Sequence, residues 1–163
     1  MPQVFVGIGS NIDRANHIRT AVKELRKVNE RVVLSSIYES PAIGFDGDNF
    51  YNLIATYESD APLQEILDEL FELERRHGRV RGINRFAPRT LDLDLLLYGD
   101  LVRHDEQVQI PRPEITQYAF VLKPLSEIAP ALRHPVSGLT FHELWGQSGI
   151  KNQNIWPVKL EIF

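Results

Sequence analysis

An α+β fold, with helices laid on a largely antiparallel sheet in the order βαββαβ, is what the sequence predicts, and three observations predict it. Stretches alternating with a period of two recur along the chain. Two stretches with aliphatic residues at three- and four-residue steps lie between them. Each change of period falls on turn or capping residues.

Taken in order, residues 3 to 9 alternate around Val4, Val6 and Ile8 and stop at Gly9, Ser10 and Asn11, which predicts a buried strand and a turn. From 13 to 28, Ile18, Val22, Leu25 and Val28 form one stripe with Arg14, Arg19, Lys23 and Lys27 on the other face, an amphipathic helix. Strands are expected at 31 to 39 and 50 to 58, joined by a polar loop through Pro41, Gly44, Gly47 and Asp48. Asp60 and Pro62 begin a second helix whose stripe is Leu63, Ile66, Leu67, Leu70 and Leu73, and Gly78 ends it. Residues 91 to 98 read as a strand, and Gly99 with Asp100 turns the chain into an extra hairpin strand at 101 to 110. That order is the split βαβ of a ferredoxin-like core, with helices on one face of the sheet. Prolines at 111, 113, 124, 130 and 135 break up the remainder, where 119 to 128 is expected as a short helical segment.

The 163 residues suit a single domain spanning 1–163, since one apolar core serves chains of roughly 50–250 residues. With 43% hydrophobic and 25% charged residues and a net charge of -4, the chain belongs to the soluble globular class and suggests no nucleic-acid partner. The absence of cysteine excludes disulfides and thiolate metal sites. The beginning lacks a basic stretch followed by a long apolar run, and no apolar stretch of about 18 residues occurs, so no membrane partner is expected. A cytoplasmic monomer is the expectation.

The informative segment is Thr90-Leu91-Asp92-Leu93-Asp94-Leu95. On a strand, Asp92 and Asp94 share one face and the leucines the other, so two like charges stand side by side and call for a compensating cation. Carboxylate oxygens suit Mg²⁺, which typically takes one or two of them and completes its octahedron with water and phosphate oxygens. A solvated acidic edge is the commoner explanation for such a pair. Just upstream lie Arg75, Arg76, Arg79, Arg81, Arg85 and Arg89, with no Asp or Glu between 75 and 91. Guanidinium forks bind phosphate oxygens in pairs, and Gly78 and Gly82 let the stretch bend, which suits a polyphosphate. A solvated basic loop and an RNA-binding patch are the competing readings. The second expects aromatic stacking residues and a basic domain, and neither is present.

Together, Gly78-Arg79-Val80-Arg81 and Pro88-Arg89-Thr90-Leu91-Asp92-Leu93-Asp94-Leu95 resemble the signature of the 6-hydroxymethyl-7,8-dihydropterin pyrophosphokinases. Gly7-Ile8-Gly9-Ser10-Asn11, Tyr38-Glu39-Ser40-Pro41, Tyr51-Asn52, Phe120-Val121-Leu122 and Pro124-Leu125-Ser126-Glu127-Ile128-Ala129-Pro130 resemble other blocks of that family, in order and spacing. The resemblance implies an enzyme moving pyrophosphate from ATP, the co-substrate, to the hydroxymethyl group of a reduced pterin in folate synthesis. It implies that Asp92 and Asp94 hold two Mg²⁺ ions. It further implies that Arg79, Arg81 and Arg89 contact the triphosphate or the migrating group, with Glu74 near the nucleotide and Arg79 and Arg89 counted with the aspartates as catalytic. The pterin would be read by Ser40, Pro41, Ala42, Ile43 and Gly44, by the amide of Asn52, and by stacking on Phe120 and Phe45.

Three residues depart from the family's pattern. Arg112 stands where a His is usual, Tyr118 where an Arg is, and Phe86 where a Trp is. Arg112 can still donate to a phosphate, so it joins the expected ATP contacts, but it cannot release a proton as an imidazole can. A diverged paralogue that binds pterin or nucleotide with little catalysis is the alternative these changes raise.

Overall fold

A computed structural model describes residues 1–78 and 91–162. β1 (Gln3–Ser10), α1 (Arg14–Val28), β2 (Val33–Leu34), β3 (Ile37–Ser40), β4 (Phe50–Glu58), α2 (Leu63–Arg76) and β5 (Asp92–Tyr98) follow the predicted order. The sheet runs β5-β1-β4-β3-β8 with β2 also on β4, and every pairing is antiparallel. The expected strand at 31 to 39 divides at Ser35, whose hydroxyl accepts the Ile54 N–H that the ladder would otherwise use.

Alternation places Val4, Val6 and Ile8 of β1 and Leu53, Ala55 and Tyr57 of β4 against Ile18, Val22 and Leu25 of α1 and Ile66, Leu70 and Leu73 of α2. Val28, expected in the stripe, is the last residue of α1 and is 59% exposed. α2 ends as expected at Gly78, whose φ of 82° suits glycine and whose N–H reaches the Arg75 carbonyl.

The second face carries its own core, which corrects the expectation of helices on one face only. α3 (Glu114–Gln117), α4 (Ala119–Ile128) and α5 (Phe141–Gln147) bring Ile115, Leu122, Leu125 and Phe141 onto Phe5, Ile54 and Leu97. α5 begins in a reciprocal capping box between Thr140 and Glu143. β8 (Trp156–Val158) adds to β3, and the following Leu160 and Ile162 pack on the α1 side. The extra strand expected at 101 to 110 is instead a separate two-stranded hairpin, β6 (Arg103–His104) with β7 (Gln109–Ile110), because Asp105 takes the Gln107 and Val108 N–H groups and turns the chain midway. Among the described residues no helix is long and apolar enough to cross a membrane.

Candidate active site

Where α3 and α4 stop covering the second face, a cavity of about 250 Å³ opens on the sheet. Its floor is β1, where Gly7 faces Asp94 of β5 on one side and Ile54 of β4 on the other, and Gly9 likewise faces Asp92 and Asn52. Two glycines therefore leave a shallow track between an acidic edge strand and a buried amide, about 10 Å apart across two strand spacings. Any side chain at Gly9 would displace the amide, since a Cβ there would stand 2.8 Å from Asn52 Oδ1. The same alternation that sets Asp92 and Asp94 on the cavity face sets Leu96 there too, and a register shift at Phe5/Val6 then brings Leu97 to that side opposite Phe5, while Leu93 and Leu95 remain in the helix-side core.

At the acidic end, Asp92 and Asp94 share the cavity face as the period of two requires. The Asp94 carboxyl is pushed up to about 7, first by burial and then by the charge of Asp92, and Arg112 pulls only partly the other way. Two recessed carboxylates that resist joint ionisation fit a divalent cation, which would favour both as anions. No group of three or more ligating side chains occurs among the described residues, so most coordination positions of an ion here would fall to water or substrate oxygens. Arg112 Nη2 lies 3.8 Å from Asp94 Oδ1, and its Nε donates to Glu114 Oε2 at 2.6 Å. Its backbone N–H donates to the Leu96 carbonyl, which ties the guanidinium to the edge strand. Glu74, 1% exposed, accepts the Leu93 N–H at 3.0 Å and is not among the residues lining the cavity. It braces β5 from α2.

At the other end, Asn52 Nδ2 donates to the Ser40 hydroxyl at 3.0 Å, and both residues are buried. Pro41, Ile43, Phe45 and Phe120 complete this wall with Ser40 and Asn52. Ala42 does not line it, and Gly44, at φ 82°, turns the chain between Ile43 and Phe45. Phe45 meets Phe50 edge-on at 6.3 Å, and Phe120 stacks on Tyr118 with centroids 5.1 Å apart. Thus Ser40, Pro41, Ile43, Phe45, Asn52, Phe120, Asp92, Asp94 and Arg112 converge on one cavity. Arg79, Arg81, Arg89 and Phe86 lie outside the described residues. Sequence reasoning missed Glu114, for which the Arg-Pro-Glu run at 112 to 114 offered an i,i+2 charge pair, and Gly9's contact with Asn52, which no local signal announces.

A family profile described as 7,8-dihydro-6-hydroxymethylpterin-pyrophosphokinase (HPPK) matches residues 5–130. The chain is 34% identical over 138 residues to the 2-amino-4-hydroxy-6-hydroxymethyldihydropteridine pyrophosphokinase of Aquifex aeolicus, covering 83% of this chain and 86% of that one. To the protein of the same name from Synechocystis it is 36% identical over 156 residues, covering 94% and 78%. Among solved structures, a Plasmodium falciparum HPPK-DHPS bound to pterin and p-hydroxybenzoate superposes with a TM-score of 0.67 at 14% identity. That match covers 90% of this chain and 43% of the Plasmodium chain, so the present chain spans less than half its length, and the likeness speaks for the fold.

Proposed function

Because the chain belongs to the 7,8-dihydro-6-hydroxymethylpterin-pyrophosphokinase family, we propose that residues 1–163 work as one pyrophosphokinase unit whose catalytic centre is the cavity between Asp92, Asp94 and Asn52. The reaction is ATP-dependent transfer of pyrophosphate to 6-hydroxymethyl-7,8-dihydropterin in folate synthesis, a reading supported by the pyrophosphokinase names of the family and its relatives. Pterin-binding without catalysis is not favoured, since those relatives carry the name of the transferase. The observation that carries the site reading is one glycine-floored track with two carboxylates at one end and a buried amide between aromatic rings at the other.

A pterin is a flat heterocycle with an amide-like edge. Asn52, oriented by Ser40, would pair with that edge, and Phe120 and Phe45 would cover the ring faces. Asp92 and Asp94 would hold two Mg²⁺ ions, which when bound neutralise the triphosphate and draw charge off the migrating group. Arg112 would donate to a phosphate oxygen, and Arg79, Arg81 and Arg89 would contact the triphosphate or the migrating group, with Glu74 holding β5 steady beside the nucleotide. The pterin hydroxymethyl oxygen then bonds to the β-phosphorus as the β-phosphorus–oxygen bond toward the α-phosphate breaks. AMP leaves with that oxygen, and the hydroxyl proton passes to water. A loose transition state needs little early deprotonation, consistent with a site whose charged groups serve to position and neutralise. We place the reaction in the cytoplasm and on a single chain. A sequence without cysteine has no disulfide that would call for an oxidising compartment.

The test is AMP release from ATP with and without the pterin, titrated with Mg²⁺ after chelator treatment. Pterin-dependent AMP that rises with Mg²⁺ is the expected result. Pterin-independent AMP, or none from folded protein, would overturn the assignment.

A further inference from the structure

The connection between β3 and β4 brings Ile43 and Phe45 to the cavity, yet much of what holds it sits on the opposite face of the sheet. Glu39 and Tyr51 are register partners on those strands. Each is one residue out of phase with Ser40 and Asn52, so both face α1. Arg14, the first residue of α1, joins them. Its guanidinium carbon lies 3.8 Å from the Tyr51 ring centroid, and its Nη1 is 3.2 Å from Glu39 Oε2. The same Nη1 donates to the Asn49 carbonyl at 2.9 Å, and Asn49 Nδ2 donates to Glu39 Oε2 at 3.0 Å. The Asn49 donation, aided by Arg14, holds the Glu39 carboxyl below the usual carboxylate range, so it is an anion at neutral pH. One residue earlier the Asp48 carbonyl accepts from Asn11 Nδ2 at 3.1 Å.

The anchored end continues into the cavity wall. Gly47 packs its backbone on the Phe45 ring so closely that a Cβ there would stand 2.5 Å from Phe45 Cε2, and Phe45 in turn meets Phe50. The path from Arg14 therefore runs by hydrogen bond to Asn49, along the chain through Asp48 to Gly47, and from Gly47 onto the aromatic wall.

We propose that Arg14 is a positioning residue for the reaction, a clamp that fixes from the far side of the sheet where the 41–49 connection holds Ile43 and Phe45 over the pterin. This rests on the reading of the cavity as the pterin slot. Arginine suits the role because one planar fork serves a ring face, a carboxylate and a carbonyl together, which an ammonium does not.

Arg14→Ala and Arg14→Lys are compared with wild type in three measurements: dihydropterin affinity by calorimetry, affinity for Mg²⁺ with a non-hydrolysable ATP analogue, and cleavage by an endoproteinase cutting before Asp46 and Asp48. Those aspartates are exposed, so cleavage reports on the connection with no ligand present. Arg14→Ala is expected to weaken pterin binding and speed cleavage each on the order of tenfold, with nucleotide affinity within about twofold. Arg14→Lys should fall between. Unchanged pterin affinity or unchanged cleavage in Arg14→Ala overturns the inference. So does an equal loss of pterin and nucleotide binding with a lowered Tm, which marks general loosening. Wild-type protein that binds no pterin overturns the functional reading and the role toward pterin with it, and the cleavage comparison then shows whether the clamp itself exists.

Discussion

Along β1 the same eight residues serve two different neighbourhoods. Toward α1 and α2 they present Val4, Val6 and Ile8, which share one aliphatic core with side chains of both helices. Toward the other face only Phe5 is bulky, and Gly7 and Gly9 leave the floor of the cavity low between Asp92, Asp94 and Asn52. A side chain on the first face is held by packing and contributes to stability. On the second, polar groups are recessed around a cavity, and two like charges in one place cost stability until a ligand offsets them. Substitutions on the two faces should therefore separate activity from stability.

The largest effect is expected at the acidic edge. Asp92→Ala or Asp94→Ala should lower turnover by about 10³-fold or more if each carboxylate holds a metal ion as proposed, since such an ion supplies several kcal/mol of charge stabilisation. Circular dichroism of both variants should match wild type. Turnover within a few-fold of wild type would break the comparison on the cavity side. Next, Ile18→Ala on the helix face should cost roughly 2–5 kcal/mol in denaturant unfolding, since Ile18 is 0% exposed and its removal opens a cavity among packed aliphatic groups. Its kcat at a temperature where it stays folded should be unchanged. A large fall in kcat would show that the two faces are not separable. Asn52→Ala should weaken pterin binding by about 1–3 kcal/mol and leave nucleotide binding alone, as a buried edge contact is lost. Equal calorimetric affinities would remove Asn52 from the slot.

The smallest effect sharpens the same contrast in the absence of metal. The Asp94 carboxyl is pushed up to about 7 in the folded chain, above the roughly 3.9 of an unfolded aspartate. Folding then favours the protonated form, so metal-free stability should fall as pH rises from about 4 to about 7, and the penalty should be complete above that. Asp94→Asn should raise the Tm of chelator-treated protein by a few degrees at pH 8. That gain should shrink toward zero near pH 4. A gain of the same size at both pH values would mean that charge is not the cause.

How much of this was legible in the sequence depended on the range of the signal. β1, β4 and α2 follow from local periodicity, the predicted strand at 50 to 58 coincides with β4, and α4 fills the expected 119 to 128 with Pro124 inside it. The α5 helix was missed although Thr140 and Glu143 spell a capping box, because the prolines around it suggested only short pieces. β8 carries Pro157, which argues against a strand unless it lies at a sheet edge, and edge position is decided by tertiary packing. The site divides the same way. The aspartate pair and the arginine stretch could be seen as patterns, and the Ser40 and Asn52 wall came through resemblance. That Arg112 would stand beside Asp94, with Glu114 as its partner, depends on how the turn after β7 packs on β5.

The close approach of Gly9 to Asn52 has a further consequence for anyone varying this chain. The two positions are opposite each other on neighbouring strands, and the amide oxygen fills the space a methyl group at 9 would need. They are thus sterically coupled: a library that randomises position 9 also randomises the pose of the amide at 52, without touching any ligand. Alanine at 9 should be rejected while Asn52 is present and tolerated once 52 is shortened to serine. Epistasis of that sign, read as recovered stability in the double variant Gly9→Ala/Asn52→Ser, would mark a residue that selection keeps small for the sake of another.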